Sequence, residues 1–506
     1  MTGPDTVEVE RKYDVAQDAR VPELVMLAGV VRVGTPEEQN LDAVYFDTRD
    51  LTLAAHGITL RRRSGGHDAG WHLKLPLGAG ERREVTEPVG SDPDTAPERL
   101  RRLVLVHTRD RALVPVVRLS TRRTVLSLYG RGDTVLAEFC DDRVEASTVL
   151  GKPESSSWRE WEIELVDGRR ELLEAADTLL AAAGQHPAAL PSKLARALGA
   201  HYPGEAAPPP TLTRKGPASA VLLAYLHAQV QTLKTHDPGV RGDLPDAVHQ
   251  LRVAARSMRS ALATYRKLTD SEVARDLREE LKWLAGAVGA ARDTEVILQR
   301  LKDVISAEPA ELLMGPVQQW IEEHLGARHH DARAAGLAAL ASDRYFRLLD
   351  ALDSFVTDPP LSDLARKPAG KCVADRVAAD RARLSEAVEA VDDARNGAPA
   401  DTALHEVRKS AKRLRYAADA AAAVHGKRAR RLAKAAEHIQ QILGGHQDSL
   451  VTRELLRDLG ATAHSEGANG FSYGRLHVIE QQRGSDARAQ FLLAWAQFRP
   501  KPLHRD

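Results

Sequence analysis

Residues Val7-Glu8-Val9-Glu10-Arg11-Lys12 place two carboxylates and an ammonium at alternate positions. In a β-strand these three side chains share one face, about 6.6 Å apart in succession, and the two valines share the other. A row of charges of both signs on an inner strand face is costly to bury without partners. A ligand that carries its own charge, such as a metal ion on a polyanion, offsets that cost. The pattern favours strands wrapped around a charged interior.

The alternation recurs. Period-two runs cover Val7–Val15, Ala43–Asp47, Thr59–Arg63, Trp71–Leu75, Arg82–Glu87, Val116–Leu128, Thr134–Phe139 and Arg159–Val166. Gly65-Gly66, Gly78-Ala-Gly80 and Gly130-Arg-Gly132-Asp133 read as turns between them. Helical stretches are expected near Glu23–Ala28, Pro97–Val106 and Glu171–Gly184. Eight strands in under 200 residues suit an antiparallel barrel. Arg61 with Arg63, Arg82 with Glu84, Arg118 with Arg122, and Glu162 with Glu164 repeat the same-face pairing, and Lys74 and Glu138 sit at similar positions. One such pair reads as a solvated outer face; repetition on seven strands argues for an interior. Arginine and lysine bind phosphate oxygens. Clustered glutamates offer oxygen-only ligation, which suits Mg²⁺ or Mn²⁺ better than zinc. Such a lumen would hold a linear polyphosphate against one or two metal ions, which could polarise a phosphoryl oxygen and orient water.

A chain of 506 residues is too long for one core. Its 71 basic and 71 acidic residues balance, so the distribution of charge, not its sum, carries information. Cys140 and Cys372 lie far apart, which argues against a disulfide or zinc site and fits a reducing, cytoplasmic setting. The N-terminus lacks a basic region followed by an apolar run, so no secretory signal is expected, and no apolar stretch is long enough for a membrane span. Beyond Ala206-Ala-Pro-Pro-Pro-Thr, read as a stiff linker, the chain turns helical. Helices are expected over Ala218–His236, Pro245–Lys267, Glu272–Val288, Asp293–Ile305, Gly315–Ala341, Cys372–Asp393, Ala403–Val424 and Lys427–Leu443. His249-Gln-Leu-Arg252-Val-Ala-Ala-Arg256-Ser-Met-Arg259 recurs 156 positions later as His405-Glu-Val-Arg408-Lys-Ser-Ala-Lys412-Arg-Leu-Arg415. Gly289-Ala-Ala-Arg-Asp293 recurs 155 positions later as Gly444-Gly-His-Gln-Asp448. Two blocks in one order at one separation indicate a duplicated bundle. In each copy the His and three basic residues form a single helical stripe, with Lys409 and Arg413 beside the second. Neither His has a ligand at i+4, so both read as polar partners in an anion site. Aromatics make up only 4 % and are not interleaved with the arginines, which argues against single-stranded nucleic acid as the partner.

Glu8-Val-Glu10-Arg-Lys12, Tyr45-Phe-Asp47-Thr48, Leu60-Arg61-Arg62-Arg63, Leu73-Lys74-Leu75 and Pro191-Ser-Lys193-Leu-Ala-Arg196 together resemble the ordered blocks of the CYTH, or triphosphate tunnel metalloenzyme, family. The resemblance covers residues 5–200 and implies a closed eight-stranded tunnel that hydrolyses triphosphates or, in one branch, cyclises ATP. It implies metal ligation by Glu8, Glu10, Glu162 and Glu164, to which the clustering adds Glu138. It also implies phosphate binding by Lys12, Arg61, Arg63, Lys74, Arg118 and Arg122, with Arg82 and Lys193 as additions; Glu8, Glu10, Lys12 and Lys74 form the expected catalytic group. Arg83 and Arg123 are the alternatives to Arg82 and Arg122, a choice that rests on strand register. The repeated HxxRxxxRxxR and HxxRxxxKxxR segments resemble the CHAD domain, a duplicated helical bundle that binds inorganic polyphosphate, over roughly 215–500. That resemblance assigns polyphosphate to His249, Arg252, Arg256, Arg259, His405, Arg408, Lys409, Lys412, Arg413 and Arg415.

The expected architecture is a multidomain α and β chain. An eight-stranded antiparallel β tunnel (barrel) with flanking helices spans 1–202, a Pro-rich linker 203–217, and a duplicated all-α helical bundle 218–500. The expected activity is metal-dependent hydrolysis of tripolyphosphate or a related triphosphate. The helical half would hold long-chain polyphosphate, localising the protein on granules or feeding the tunnel. A non-catalytic polyphosphate binder has no need of carboxylates inside its site unless metal is bound. Cyclase chemistry needs an adenine pocket and a base for which no local motif stands out.

Overall fold

The period-two runs become strands whose charged positions point inward and whose apolar positions point out. The computed structural model describes residues 5–78, 80–151, 153–204, 211–394 and 398–503. Residue 79 of the expected turn and residues 205–210 of the expected linker lie outside the described residues. The chain divides into two units, residues 1–208 and 209–506.

The first unit contains β1 (Asp5–Val15), β2 (Glu37–Asp47), β3 (Thr59–Ser64), β4 (Gly70–Gly78), β5 (Glu81–Glu87), β6 (Val114–Tyr129), β7 (Val135–Thr148) and β8 (Ser155–Leu165). All pairings are antiparallel, in the order β1-β5-β4-β3-β2-β6-β7-β8, and β8 pairs back with β1 to close the barrel. Two-residue strands at Arg32–Val33 and His186–Pro187 extend it. The outer apolar faces are covered by helices. Leu100, Leu103 and Val104 of α1 (Glu98–Thr108) pack on Phe46, Trp71 and Val85. Leu172, Ala176 and Leu180 of α2 (Arg170–Ala182) pack on Phe139, Trp161 and Ile163. α3 (Lys193–Leu198) starts at a Ser192 cap that accepts from the Ala195 N–H at 3.1 Å. Its Leu194 and Leu198 join Tyr45, Leu119, Val144, Ala146 and Trp158 in an apolar cluster. Those barrel residues share strand parity with the charged inner positions, so α3 fills the interior beyond the charged zone.

The second unit is helical: α4 (Ala218–Arg241), α5 (Ala247–Thr264), α6 (Ser271–Ala287), α7 (Gly289–Ala307), α8 (Val317–Leu340), α9 (Asp343–Thr357), α10 (Ala369–Asp393), α11 (Ala398–His425), α12 (Lys427–Ser465) and α13 (Phe471–Ala496). The repeat separation maps α5 onto α11, α6 with α7 onto the single helix α12, and α8 onto α13. α12 runs 39 residues, far past the expected end at Leu443. Two glycines there cost a helix about 1 kcal/mol each relative to alanine. Packing overrides them: Leu456, Leu459 and Ala463 are buried against Leu301 and Ile305 of α7 and Tyr473 and Leu476 of α13. α9 and α13 were not among the expected helices. Among the described residues no helix is long and apolar enough to cross a membrane.

Leu194 is 1 % exposed, so Leu194→Ala leaves a cavity inside the barrel end. It should lower the unfolding free energy of the β unit by about 2–5 kcal/mol, read by chemical denaturation.

Candidate functional site

The strand pairing sets the charged side chains in rungs around a cavity of about 390 Å³. Glu10 lies opposite Glu164 and Lys12 opposite Glu162 across the β1–β8 closure; Glu8 lies opposite Arg82 across β1–β5. Arg61 and Arg63 enter from β3, Lys74 from β4, Glu138 from β7 and Lys193 from α3. These eleven expected residues therefore share one lumen.

Arg118 and Arg122 do not. On β6 the inward parity belongs to Arg123, Val125 and Ser127, and Arg118 and Arg122 stand exposed on the outer face. A one-residue change of register exchanges every inner and outer side chain, so the lumen arginine of this strand is Arg123. On β5 the choice falls the other way. Arg82 lines the cavity and donates to the Pro191 carbonyl at 2.8 Å, and Arg83 turns outward to Asp5 at 2.5 Å.

Within the lumen the charges are unevenly matched. Lys193 Nζ lies 2.8 Å from Asp142, 2.7 Å from Glu160 and 2.6 Å from Glu162, so three carboxylates surround its ammonium. Arg123 grips Asp142 through two bonds of 2.7 and 2.6 Å and reaches Glu162 at 2.6 Å; Lys12 also bonds Glu162. Burial works against the Glu162 anion, but Lys12, Lys193 and Arg123 overcome it and hold its carboxyl well below the usual range. The oxygens of Asp142, Glu160 and Glu162 lie close enough to share a cation, and Lys193 supplies one. Asp142 and Glu160 were not anticipated. The Glu160-Trp161-Glu162-Ile163-Glu164 alternation was the available signal for Glu160.

The β1 edge is different. Lys74 bonds Glu8 at 2.6 Å and Lys12 bonds Glu10 at 2.9 Å. Burial would raise Glu10, yet Lys12 and Lys74 hold it at about 2. Glu8 is raised, chiefly by burial, despite Lys74. Glu164 has no ion-pair partner among the described residues; burial, then the Glu8 and Glu10 charges, push it from 4.5 to about 7. This end of the lumen is short of positive charge. Arg61 and Arg63 show the opposite imbalance. Each has a buried Nε with no hydrogen-bond partner, and burial, followed by repulsion from Arg61 and Arg123, lowers Arg63 to about 9. Among the described residues Arg61 reaches the Tyr45 hydroxyl, at 3.5 Å, and Arg63 pairs with Asp68 at the rim.

In the helical unit α5 and α11 pack together and bring their stripes face to face. Burial, then Arg408, Arg256, Arg252 and Arg259, lower the Lys412 ammonium to about 7. Among the described residues Arg256, Arg259, Arg408 and Lys412 form no ion pair, and Arg252, Arg256 and Arg408 each bury an unpartnered Nε. The second repeated block supports the stripes. A Cβ at Gly289 would meet the Arg252 guanidinium at 2.8 Å, so glycine leaves room for it, and Asp293 anchors it at 2.7 Å. His405 Nδ1 donates to Gln447 at 2.7 Å. His249 is shifted toward its neutral form, chiefly by burial. Three expected members turn elsewhere: Lys409 to Glu406 at 2.8 Å, Arg413 to Asp380 at 2.8 Å, and Arg415 to Glu437 at 3.0 Å. Each of the three is neutralised by a carboxylate.

The CYTH domain family model matches residues 6–198, and the CHAD domain model residues 224–457. An uncharacterized protein of Mycobacterium tuberculosis is 40% identical over 503 residues, covering 96% of this chain and 94% of that protein. Among solved structures, PptA from Streptomyces chartreusis aligns with 55% of this chain and 99% of its own at 24% identity and a TM-score of 0.47. The CHAD domain from the plant Ricinus communis aligns with 59% and 99%, at 24% identity and a TM-score of 0.46.

Without metal, native Glu164 binds a proton that the unfolded chain has already lost between pH 4.5 and about 7. Its contribution to stability is therefore full below 4.5 and is lost as pH rises to about 7. Denaturant titrations in chelator across that window should show the decline, and Glu164→Gln should reduce it.

Proposed function

The chain belongs to the family that joins a CYTH domain to a CHAD domain, and on that premise we propose that it is a metal-dependent inorganic triphosphatase whose helical unit binds polyphosphate. The observation that carries this reading is the double imbalance in one lumen: among the described residues, a carboxylate with no ion-pair partner at Glu164 beside a Glu8 that burial raises despite Lys74, and buried guanidinium Nε groups without partners at Arg61 and Arg63. A metal–triphosphate complex corrects both at once, whereas a bare anion corrects only the second. The donor set fits Mg²⁺ or Mn²⁺: Glu8, Glu10 and Glu164 offer oxygens alone, with Glu138 nearby. The ion, when bound there, supplies charge neutralisation and an oriented water.

The protein's own residues do the rest. Arg61, Arg63, Arg82 and Arg123 orient the phosphate chain and offset the charge that spreads over its oxygens as the terminal bond breaks. Lys12 and Lys74 hold Glu10 in its ionised form, and Lys74 opposes the burial that raises Glu8. Glu162, tied down by three cations, fixes Lys12 at the rung next to Glu10. Tripolyphosphate, or a related triphosphate, is the substrate class that spans both halves of the lumen. On the helical unit the cluster of Arg252, Arg256, Arg259, Arg408 and Lys412 is the polyphosphate surface. Through it the protein would associate with polyphosphate granules in the cytoplasm.

Phosphate release from tripolyphosphate with Mg²⁺ or Mn²⁺ tests the tunnel. Glu8→Gln with Glu10→Gln should lower it by more than about 100-fold while the circular dichroism stays native; undiminished release would reject the assignment. Arg256→Ala with Lys412→Ala should weaken long-chain polyphosphate binding and flatten its log affinity–log salt line by roughly two, with tripolyphosphate turnover intact. Unchanged binding would remove the helical face from the proposal.

A further inference from the structure

The duplication lets one copy show what the other lacks. Gly289-Ala290-Ala291-Arg292-Asp293 on α7 corresponds residue for residue to Gly444-Gly445-His446-Gln447-Asp448 on α12. In the second copy His446 is only 6% exposed, and its Nε2 lies 3.2 Å from Asp401. It lies beside α13, where a Cβ at Gly484 would come within 4.0 Å of its ring. Gln447 accepts the bond from His405. Side chains of the bundle itself fill that space.

The first copy has Ala291 where the second has His446. There a cavity of about 360 Å³ opens among α5, α7, α8 and the loop before α5, within the size range of small-molecule sites. Arg292 replaces the glutamine, so His249 meets a guanidinium where its counterpart meets an acceptor. The lining is of two kinds. Val240, Leu244, Val288 and Leu337 give it apolar surface, and His249 and Arg292 give it polar, cationic surface, with His329 and Arg333 also in the lining. Two of the carboxylates around it are paired with arginines, Asp243 with Arg333 at 3.1 Å and Glu295 with Arg292 at 2.8 Å; Asp246 accepts from the Gln250 amide at 2.7 Å, and its charge favours the protonated form of His249. The Glu295–Arg292 pair is half-exposed and lies on one helix, so a stronger anion displaces it at little cost. Arg252, one turn along from His249, continues the positive charge away from the cavity.

We propose that this cavity binds a small organic phosphate, with the organic body against Val240, Leu244 and Leu337 and the phosphate on His249 and Arg292. Inorganic polyphosphate would leave the apolar wall facing a charged chain, and a wholly apolar ligand would dehydrate His249 and Arg292 without replacing their hydrogen bonds. A molecule with both parts satisfies both kinds of lining. The site is separate from the tunnel and does not depend on its chemistry.

The test is isothermal titration of ADP and of pyrophosphate into the full-length protein in EDTA. The two probes share a diphosphate, and only ADP carries an organic body. ADP is expected to bind at least tenfold more tightly. Ala291→His, which installs the residue of the second copy, and Ala332→Leu, which fills the cavity from α8, should each remove that preference. Melting temperature and tripolyphosphate turnover should stay unchanged in both. Arg292→Gln should weaken ADP binding while leaving the apolar wall intact. The Glu8→Gln/Glu10→Gln protein should keep the ADP preference. Equal affinity for the two probes overturns the proposal, as does a preference that survives both filling variants or disappears in the tunnel variant. Failure of tripolyphosphate hydrolysis would concern the tunnel alone.

Discussion

One ammonium holds the β unit's interior together. Lys193, carried in on a helix capped by Ser192, takes three buried carboxylates from two neighbouring strands. Without it, Glu160 would lose its cation and Asp142 and Glu162 would rest on Arg123 and Lys12 alone; a buried carboxylate left uncompensated costs several kcal/mol. The same Glu162 reaches across the closing β1–β8 seam to Lys12. The apolar plug, the charged floor and the seam of the barrel are thus one connected arrangement. It also changes what Lys193 can do. A lysine surrounded by three carboxylates acts as a structural counter-charge, and in the proposed function the work of meeting phosphate would pass to the arginines above it.

With the floor neutralised, the imbalance left over is confined to the upper lumen, where it has direction. Carboxylates gather along β1 and the end of β8, and guanidiniums along β3. A solvated salt-bridge lattice would pair these groups with each other and leave neither set wanting. Here the fold keeps them apart on opposite parts of the wall. The helical unit reaches a similar result by other means. Two copies of one helix present their basic stripes to each other, and the glycine of the second block makes the approach possible by giving up a side chain.

The strands, the barrel and the duplication were legible in the sequence because each rests on a period: two for strands, three to four for helices, 156 for the repeat. Glu8, Glu10 and Lys12 could be placed for the same reason. Arg122 was misplaced because Arg122-Arg123 offers a guanidinium at either parity, and only pairing with Asp142 on β7 decides between them. Asp142 and Glu160 went unread because their role depends on a lysine from a distant helix. The rest of α12 was hidden by Gly444-Gly445, a pair that reads as a break until packing outweighs propensity. Arg413 and Arg415 have the right spacing, but Asp380 and Glu437, distant in sequence, take their charge.

Lys412 is the one lysine where the repeat's other copy has Arg256. A guanidinium there would stay charged whatever lay above it. An ammonium held near 7 by burial and four arginines spends part of its time uncharged at neutral pH. If a polyanion settles on that face, as proposed, it would restore the proton, so that capture of the chain and uptake of hydrogen ion would become a single thermodynamic event. On that reading the surface carries less charge when empty than when filled, and acidity of the surroundings would set part of its grip.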